Sequence, residues 1–462
     1  MSGSRVIEVI QPETVEEVRK RVDSQGIEFI FAQFVEMHAR PSAKLVPAAH
    51  LEDLFTDGAG FAGFATGDIG QGPHSPDLAA MPDPRSFTVV PWQPNLARLA
   101  CDVWVEGKPW PYDPRTILRN QMEVARSKGY VFMVGAEPEF FLLRKDDNGQ
   151  IKLADPLDTL DRPCYDIRGL TRQFEFMSTL SKYANGLGWD NYANDHEDAN
   201  SQFESNWRYS DAVTTADRIV FFRYMVESLA QRMGMLATFM PKPFANLTGS
   251  GCHFHMSLWD TKKNVNLFED AHDPRGNGLS KLAYNFIGGL KKHAKAYIAV
   301  SAPTVNSYKR LVIGAPTSGA TWAPAYVSYG RNNRTQMLRV PAAGRVEDRT
   351  VDGSCNPYLA MTAILGAGLD GIESKLDAGE PNEANLYEMP TAEREKRGIE
   401  VLPSNLLDAV RNLEKDDVLR KALGRAIDED YIDYYAGVKK REWQTYHEHV
   451  TDWERDHYLS LV

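Results

Sequence analysis

Two histidines separated by one residue, His253 and His255, lie in the stretch GSGCHFHMSLWD at 249–260. In an extended strand successive side chains point to opposite faces, so the two imidazoles would share one face. Imidazole nitrogens bind metals and carry protons, but histidines of a half-buried strand can also serve only as hydrogen-bonding groups. This stretch alone leaves both interpretations open.

Two glutamates in GAEPEFF, Glu137 and Glu139, have the same alternate spacing. A pair of surface glutamates is the simplest explanation, but apolar residues at 131–134 and 140–143 favour a buried strand. Carboxylates forced onto one face repel each other and tend to take up a proton, unless a cation lies between them. The pattern therefore favours a cation site.

Further acids lie in NDHEDANSQFES, which contains Glu197 and Glu204, and in GRVEDR, which contains Glu347. Carboxylates combined with one or two imidazoles suit hard divalent ions such as Mg²⁺ and Mn²⁺, whereas structural zinc sites favour thiolates. These residues predict a site for more than one metal ion.

Arginines are concentrated in the same part of the chain. They are Arg310, Arg334, Arg339, Arg345 and Arg349. A guanidinium group matches the geometry of phosphate and carboxylate groups through two parallel hydrogen bonds. Metal ions beside arginines indicate a nucleoside triphosphate and an acidic substrate. The sequence has neither a Walker-type loop nor a GxGxxG after a strand, so the nucleotide must bind in another way.

These residues must be positioned by a chain of two parts. Residues 13–36 predict a helix followed by a strand, and turn-rich text continues to residue 107. A boundary is predicted near 108–113, where prolines precede a helical pattern. From there strands and helices alternate, and the last quarter of the chain predicts mostly helix.

The composition of the 462 residues is that of a folded globular protein, with 43% hydrophobic and 25% charged residues. A net charge of −11 argues against nucleic acid as a partner. We expect a cytoplasmic protein with no membrane partner, because long apolar runs and signal-peptide order are both missing from the sequence. Cys101, Cys164, Cys252 and Cys355 are scattered, so we expect small buried residues rather than disulfides or a thiolate zinc site.

The motifs GAEPEFF, MPKPF, GSGCHFHMS, NSYKRL, NNR, LRVP, RVEDR and NPYLAMTAILGAGLDGI occur in this order. Together they resemble the glutamine synthetase family over nearly the whole chain. The resemblance implies an α+β fold with an N-terminal β-grasp domain at 1–110 and a catalytic domain at 111–462, built on an antiparallel half-barrel with helices. It also implies a ring-shaped homo-oligomer, usually a dodecamer, with active sites between subunits.

The resemblance implies roles for individual residues. Ligands of the metal on the substrate side would be Glu139, Glu197 and Glu204, and ligands of the metal that bridges the ATP phosphates would be Glu137, His253 and Glu347. Nucleotide contacts would come from His255 and Ser257, phosphate contacts from Arg334, Arg339 and Arg345, and contacts to the amino-acid substrate from Gly249, Arg310 and Arg349. The reaction would need ATP as co-substrate and two or three Mg²⁺ or Mn²⁺ ions, and would join an amine to the γ-carboxylate of L-glutamate through a γ-glutamyl phosphate.

The sequence departs from the family where the amine would bind. Ammonia-using members carry Asp-Gly-Ser-Ser in the N-domain, whereas this chain has Gly-Phe-Ala-Thr at 63–66, with Asp68 as the nearest replacement. They also carry a glutamate before Ala-Pro on a flap, where this chain has Trp322. Apolar surface in place of acids leaves room for an alkyl group and a cation–π contact. The flap resembles the branch that contains type III-like glutamine synthetases and γ-glutamylmethylamide synthetase.

Methylamine is therefore the expected amine, and ammonia or a larger amine is the alternative. The family's asparagine before Gly-Ser-Gly is displaced in FANLTGSG, so Thr248 or Asn246 must take its part in binding glutamate. Two other interpretations are a guanidino kinase, which shares the catalytic half-barrel, and a ring-forming relative without activity. The presence of all six predicted metal ligands argues against an inactive relative.

Overall fold

The computed structural model describes residues 12–311 and 324–461. Trp322, predicted to contact the amine, lies outside the described residues. The N-terminal part contains α1 (Val15–Gln25), β1 (Phe29–Val35), β2 (Pro41–Pro47), α2 (Leu51–Asp57), β3 (Ala59–Phe61), β4 (Leu78–Pro82), β5 (Thr88–Val89), β6 (Leu96–Val105) and β7 (Lys108–Pro109). Its strands form one sheet in the order β2-β1-β6-β4-β3, in which β1 and β6 run parallel and β5 and β7 also pair with β6.

The next part of the chain alternates between strands and helices, as predicted. It contains α3 (Pro114–Ser127), β8 (Tyr130–Lys145), β9 (Ile151–Leu153), α4 (Ile167–Arg172), α5 (Phe174–Gly186), β10 (Asn191–His196), β11 (Gln202–Trp207), β12 (Ser210–Asp211), α6 (Ala212–Arg232), β13 (Leu236–Thr238) and β14 (Cys252–Asp260).

The last part is largely helical, which confirms the expectation for the end of the chain. It contains α7 (Lys281–Ser301), α8 (Ser307–Arg310), β15 (Tyr326–Val327), β16 (Tyr329–Arg331), β17 (Leu338–Val340), β18 (Val346–Asp348), α9 (Pro357–Glu373), α10 (Thr391–Lys396), β19 (Glu400–Val401), α11 (Leu406–Leu413), α12 (Asp417–Leu423), α13 (Tyr431–His447) and α14 (Asp452–Tyr458). None of the helices in the described ranges has the length and hydropathy needed to span a bilayer.

The second sheet is built around the long strand β8. In the described residues it has the order β10-β11-β8-β14-β18-β17-β16, and β9, β12 and β13 pair with β8 as well. Its strands are antiparallel except for β16 and β17. Residues of β8 such as Phe132 and Val134 are fully buried, which agrees with the buried strand predicted from the apolar residues around Glu137 and Glu139.

Helices α7 and α9 pack closely because glycines lie where they meet. A Cβ atom on Gly289 would come within 2.1 Å of the Ala367 carbonyl oxygen, and one on Gly371 within 2.1 Å of the Asn285 carbonyl oxygen. Larger side chains would push the helices apart, so the glycines of this pair are required by packing. The two helices pack as one unit on the second sheet.

A buried ion network joins the N-terminal part to α3 and α6. Arg115, at the start of α3, lies 2.8 Å from Asp83, 2.6 Å from Asp102 and 3.0 Å from Asp217. Because Arg115 is buried, removing it would take the ion pair away from Asp217, at a cost of about 3 to 5 kcal/mol, whereas Asp83 and Asp102 would keep their contacts with Arg119. The network therefore fixes the N-terminal sheet against the part of the chain that contains the acidic cluster, which consists of Glu137, Glu139, Glu197, Glu204 and Glu347.

Candidate active site

Strand register brings the predicted histidines and acids together. His253 on β14 is paired with Glu137 on β8, and His255 is paired with Gly135 on one side and Glu347 on β18 on the other. His253 Nδ1 lies 3.8 Å from Glu137 Oε2 and 3.5 Å from Glu347 Oε1. The alternating spacing read from the sequence is thus confirmed as a shared face of the sheet.

The remaining predicted acids lie on β11 or directly after β10. Glu204 on β11 is paired with Glu139 on β8, and Glu197 follows the last residue of β10. In this part of the described structure, ligand atoms within 4.8 Å of one another form three groups: Glu139, Glu197 and Glu204; Glu137, Glu204 and His253; Glu137, His255 and Glu347. A fourth group, Glu36, His38 and Asp68, lies in the N-terminal part. The first group consists of the three residues predicted to bind one metal ion, and the residues predicted for the second ion are divided between the second and third groups, one with each histidine.

The two ends of the acidic cluster differ in electrostatics. Burial raises the pKa of Glu197 and of Glu204 well above the usual range, and neighbouring carboxylates raise it further. Burial would also raise the pKa of Glu137, but His255 and His253 lower it strongly. One end of the cluster therefore favours protonation, whereas Glu137 stays ionised.

Two arginines hold Glu347 in its ionised form. Arg339 Nη1 donates to Glu347 Oε2 at 2.8 Å, and Arg349 Nη1 donates to Glu347 Oε1 at 2.7 Å. Burial opposes ionisation, but Arg349 and the nearby histidines bring the pKa of Glu347 down to about 2. The carboxylate therefore keeps its charge, and a fixed direction, at any physiological pH.

The acidic cluster opens into a cavity of about 270 Å³. The predicted residues that line it are Glu137, Glu139, Glu197, Glu204, Thr248, Gly249, His253, Arg310, Arg334, Arg339 and Arg349. Arg349 Nε is buried and has no hydrogen-bond partner among the described residues. Such a donor indicates that an acceptor from a ligand completes the site.

One wall of this cavity is the loop before β14. Gly249 leaves no room for a side chain, since a Cβ atom there would lie 2.4 Å from the Pro241 carbonyl oxygen. Thr248 Oγ1 donates to Asp198 at 2.5 Å. Arg310 is anchored by donating to the carbonyl oxygens of Thr350 and Arg349. Thr248, Gly249 and Arg310 therefore form a rigid, basic part of the cavity wall.

A second cavity, of about 510 Å³, adjoins the first, and Glu137 lines both. Of the predicted nucleotide contacts, His255, Ser257 and Arg345 line this second cavity, whereas Arg339 lines the first. Both ring nitrogens of His255 are buried without a well-aligned hydrogen bond in the described part of the chain, although Nε2 is 3.0 Å from Glu137. The arrangement suits a nucleotide whose phosphates reach from the second cavity into the first.

The sequence did not reveal several cavity residues. Tyr192, Tyr209 and Trp259 give the second cavity aromatic surface, and Tyr165 and Lys242 line the first. The sequence pattern gave little indication of these residues. Tyr165, for example, lies in an irregular loop and has a left-handed φ of 62°. Lys242 belongs to the motif MPKPF, but it had been given no role.

Cys164 and Asp68 lie in surroundings that the sequence did not predict. Cys164 also lines the first cavity and is only partly buried, so its interpretation as a buried residue was wrong, whereas Cys101, Cys252 and Cys355 are buried. Tyr165 beside Cys164 also lines the cavity and is 69% exposed, so this loop lies at the cavity mouth and not in the core. Asp68 lies outside both cavities of the single chain and accepts a hydrogen bond from His38 at 3.0 Å.

Comparison with known proteins agrees with this arrangement. The family profile described as "Glutamine synthetase, catalytic domain" matches residues 111–458. The chain belongs to the glutamine synthetase family. A relative from Methyloversatilis universalis named glutamate–methylamine ligase is 48% identical over 446 residues, which cover 96% of this chain and 99% of the relative.

Two relatives named glutamine synthetase have lower identities. Glutamine synthetases of Rhizobium meliloti and Pyrococcus furiosus are 42% and 38% identical, over 95% and 94% of this chain and 98% and 97% of their own lengths. A solved structure described as "GmaS/ADP complex-Conformation 1" aligns with a TM-score of 0.88 and 46% identity, covering 96% of this chain and 99% of that chain.

Proposed function

We propose that this protein joins methylamine to the γ-carboxylate of L-glutamate and converts ATP to ADP and phosphate. The observation that carries the proposal is the 48% identity, over nearly the full length of both chains, to a glutamate–methylamine ligase. The two connected cavities supply what this reaction needs, namely a basic wall for an acidic substrate and an aromatic pocket for a nucleotide.

The reaction balances in two steps. A γ-carboxylate oxygen of glutamate attacks the terminal phosphorus of ATP, the bond to the β-phosphate oxygen breaks, and ADP leaves. The amine nitrogen then attacks the γ-carbonyl carbon, the bond to the phosphate oxygen breaks, and the nitrogen loses a proton. Arg310 and Gly249 would hold the glutamate, and Arg334, Arg339 and Arg349 would face the charge that spreads over the transferred phosphoryl group.

The carboxylates and His253 fit divalent metal ions. Hard oxygen ligands with one imidazole suit Mg²⁺ or Mn²⁺, and the raised pKa of Glu197 and Glu204 reflects, besides burial, the mutual repulsion that a cation would relieve. We propose two or three such ions, held by Glu139, Glu197 and Glu204 and by Glu137, His253 and Glu347. When bound, they would neutralise the charge of the phosphates and orient them.

The amine site is proposed from the departures in sequence. Trp322 would supply aromatic surface for a methylated cation, and Asp68, on the N-terminal part of a neighbouring subunit, would supply a carboxylate that takes up the proton. This requires a homo-oligomer, for which we propose the dodecamer of the family, with a β-grasp domain at 1–110 and a catalytic domain at 111–462. A cytoplasmic location is part of the same proposal.

Phosphate release with saturating ATP, Mg²⁺ and glutamate tests the proposal when methylamine and ammonium are titrated in parallel. We expect kcat/KM for methylamine to be at least about tenfold higher, which is about 1.4 kcal/mol of discrimination. Release must also require both glutamate and amine, since a kinase without a ligation step would not need the amine.

Ammonia is the second candidate, because relatives at 42% and 38% identity are named glutamine synthetases. A higher kcat/KM for ammonium would establish that activity instead. The matched pair Trp322→Glu and Trp322→Phe separates charge from shape: we expect only the glutamate variant to shift preference toward ammonium.

A further inference from the structure

A buried histidine beside the acidic cluster has no part in the function proposed above. His196 is the last residue of β10, directly before Glu197, and its side chain is fully buried. Its Nε2 donates to Asp158 Oδ2 at 2.6 Å, and its Nδ1 donates to the carbonyl oxygen of Glu197 at 2.8 Å. A carbonyl oxygen and an ionised carboxylate can only accept, so the ring carries a proton on both nitrogens.

The partner carboxylate is itself held firmly. Asp158 also accepts from the backbone N–H of Ser201 at 2.7 Å and from Asn200 Nδ2 at 3.2 Å. Gly169 lies against the imidazole, where a Cβ atom would come within 2.3 Å of His196 Cδ2. The ring therefore has one available orientation, fixed by hydrogen bonds at both nitrogens and by packing on its face.

His196 connects two parts of the first cavity. Through Nδ1 it holds the backbone of Glu197, and its own carbonyl oxygen accepts from the N–H of Tyr165 at 2.9 Å. Through Asp158 it also holds the start of the segment 155–166, which carries Cys164 and Tyr165 over the cavity. Glu197 and Tyr165, both hydrogen-bonded to this histidine, line the same cavity.

We propose that His196 is a positioning residue that aims the Glu197 carboxylate at its metal ion and holds the Tyr165 segment at the cavity mouth. This inference rests on the proposed function in assigning a metal ion to Glu197. Outer residues that orient metal ligands change metal affinity or activity about 10- to 100-fold when they are replaced. Loss of the ring should therefore weaken metal binding at Glu197 and leave the nucleotide cavity unchanged.

The test is a Mn²⁺ titration of the full-length protein, followed by the electron paramagnetic resonance signal of free Mn²⁺, with no amine or ATP present. We expect His196→Gln to raise the Mn²⁺ dissociation constant at least about tenfold. In turnover assays we expect a higher Mn²⁺ concentration for half-maximal activity and an ATP KM within about twofold of wild type. Asp158→Asn should give the same pattern and replaces His196→Gln if that variant does not fold.

The matched control is His293→Gln. His293 is also a buried histidine, and it contacts two carboxylates, Asp370 at 3.0 Å and Asp416 at 2.6 Å. It lies on α7 and lines neither of the two cavities. We expect both variants to lower thermal stability and only His196→Gln to weaken Mn²⁺ binding. Equal Mn²⁺ affinity in wild type and His196→Gln would overturn the proposal.

A wild-type protein that takes up no Mn²⁺ would contradict the metal site and this role of His196 with it. Because the titration contains no amine, a preference for ammonium over methylamine would leave its result unchanged. The identity of the amine and the positioning role are thus tested separately.

Discussion

Glu139 lies directly opposite Glu204 across the antiparallel pair of β8 and β11. Like charges in this position destabilise a sheet, and here burial adds to the cost. Burial, together with Glu197, Glu137 and Glu139, raises the pKa of Glu204 well above the usual range. The pair is therefore poorly suited to the metal-free protein and well suited to a bound cation.

Metal uptake should release protons near neutral pH. Because the pKa of Glu197 and Glu204 is raised in the metal-free protein, a cation that needs both carboxylates ionised must displace protons. We expect acidification when Mn²⁺ is added at pH 7 in weak buffer with a pH indicator, and weaker Mn²⁺ binding as the pH falls. Uptake of Mn²⁺ without proton release would contradict the raised pKa values.

Replacing one glutamate of this pair should raise the stability of the metal-free protein and lower its activity. Glu204→Gln removes the free-energy cost of burying this carboxyl group among other acids, which its raised pKa reflects, so we expect a melting temperature in EDTA that is about 1 to 3 °C higher than in wild type. The same variant should lose activity by about 100-fold or more, and Mn²⁺ should no longer raise its melting temperature. Glu123→Gln, on the exposed surface of α3 and outside the first cavity, is the control and should change neither quantity. A less stable Glu204→Gln protein in EDTA would count against the argument.

The alternating spacing of Glu137 and Glu139, and of His253 and His255, was enough to predict their shared faces, because side-chain direction in a strand follows a period of two. Which strands pair cannot be read from such a pattern. The register that places Glu347 beside His255 joins residues 92 positions apart in the sequence, and it entered the prediction only through family resemblance.

Loop residues were beyond the reach of the sequence pattern for a different reason. Cys164 and Tyr165 reach the cavity because their segment is held by Asp158 and His196 and turns through a left-handed residue. No periodicity marks such a segment, and a single cysteine among polar residues gives no sign of the surface that it will line.

The arginines that contact Glu347 should be needed for their hydrogen-bond geometry as well as for their charge. Arg339 donates through Nη1 to Glu347, and through Nε and Nη2 to Asn332 Oδ1 at 3.1 and 2.7 Å. A lysine keeps the charge but cannot make this fork, so Arg339→Lys should lower kcat about 10- to 100-fold. Arg331→Lys, on the exposed end of β16, is the matched control and should leave kcat unchanged. Equal kcat for Arg339→Lys and wild type would show that charge alone is needed.

The buried His293 should make stability depend on pH in a predictable direction. Burial would lower its pKa, but hydrogen bonds with Asp416 and Asp370 raise it above 6.5 in the folded state. Lys292 also contacts Asp370, at 2.8 Å, without displacing the imidazole. A group whose pKa is raised by folding stabilises the protein fully below its unfolded pKa, and this contribution is lost as pH rises through the folded pKa.

We therefore expect the stability difference between wild type and His293→Gln to be largest near pH 6 and to shrink by about pH 9, as measured by thermal or urea unfolding at both values. Asp370 stays ionised over this range, because burial would raise its pKa but hydrogen bonds with His293 and Lys292 lower it. His50→Gln is the control, because His50 lies 3.0 Å from Asp53 in a pair that is more than half exposed. Such a pair contributes little at any pH, so a pH-dependent effect of equal size in His50→Gln would remove burial as the cause.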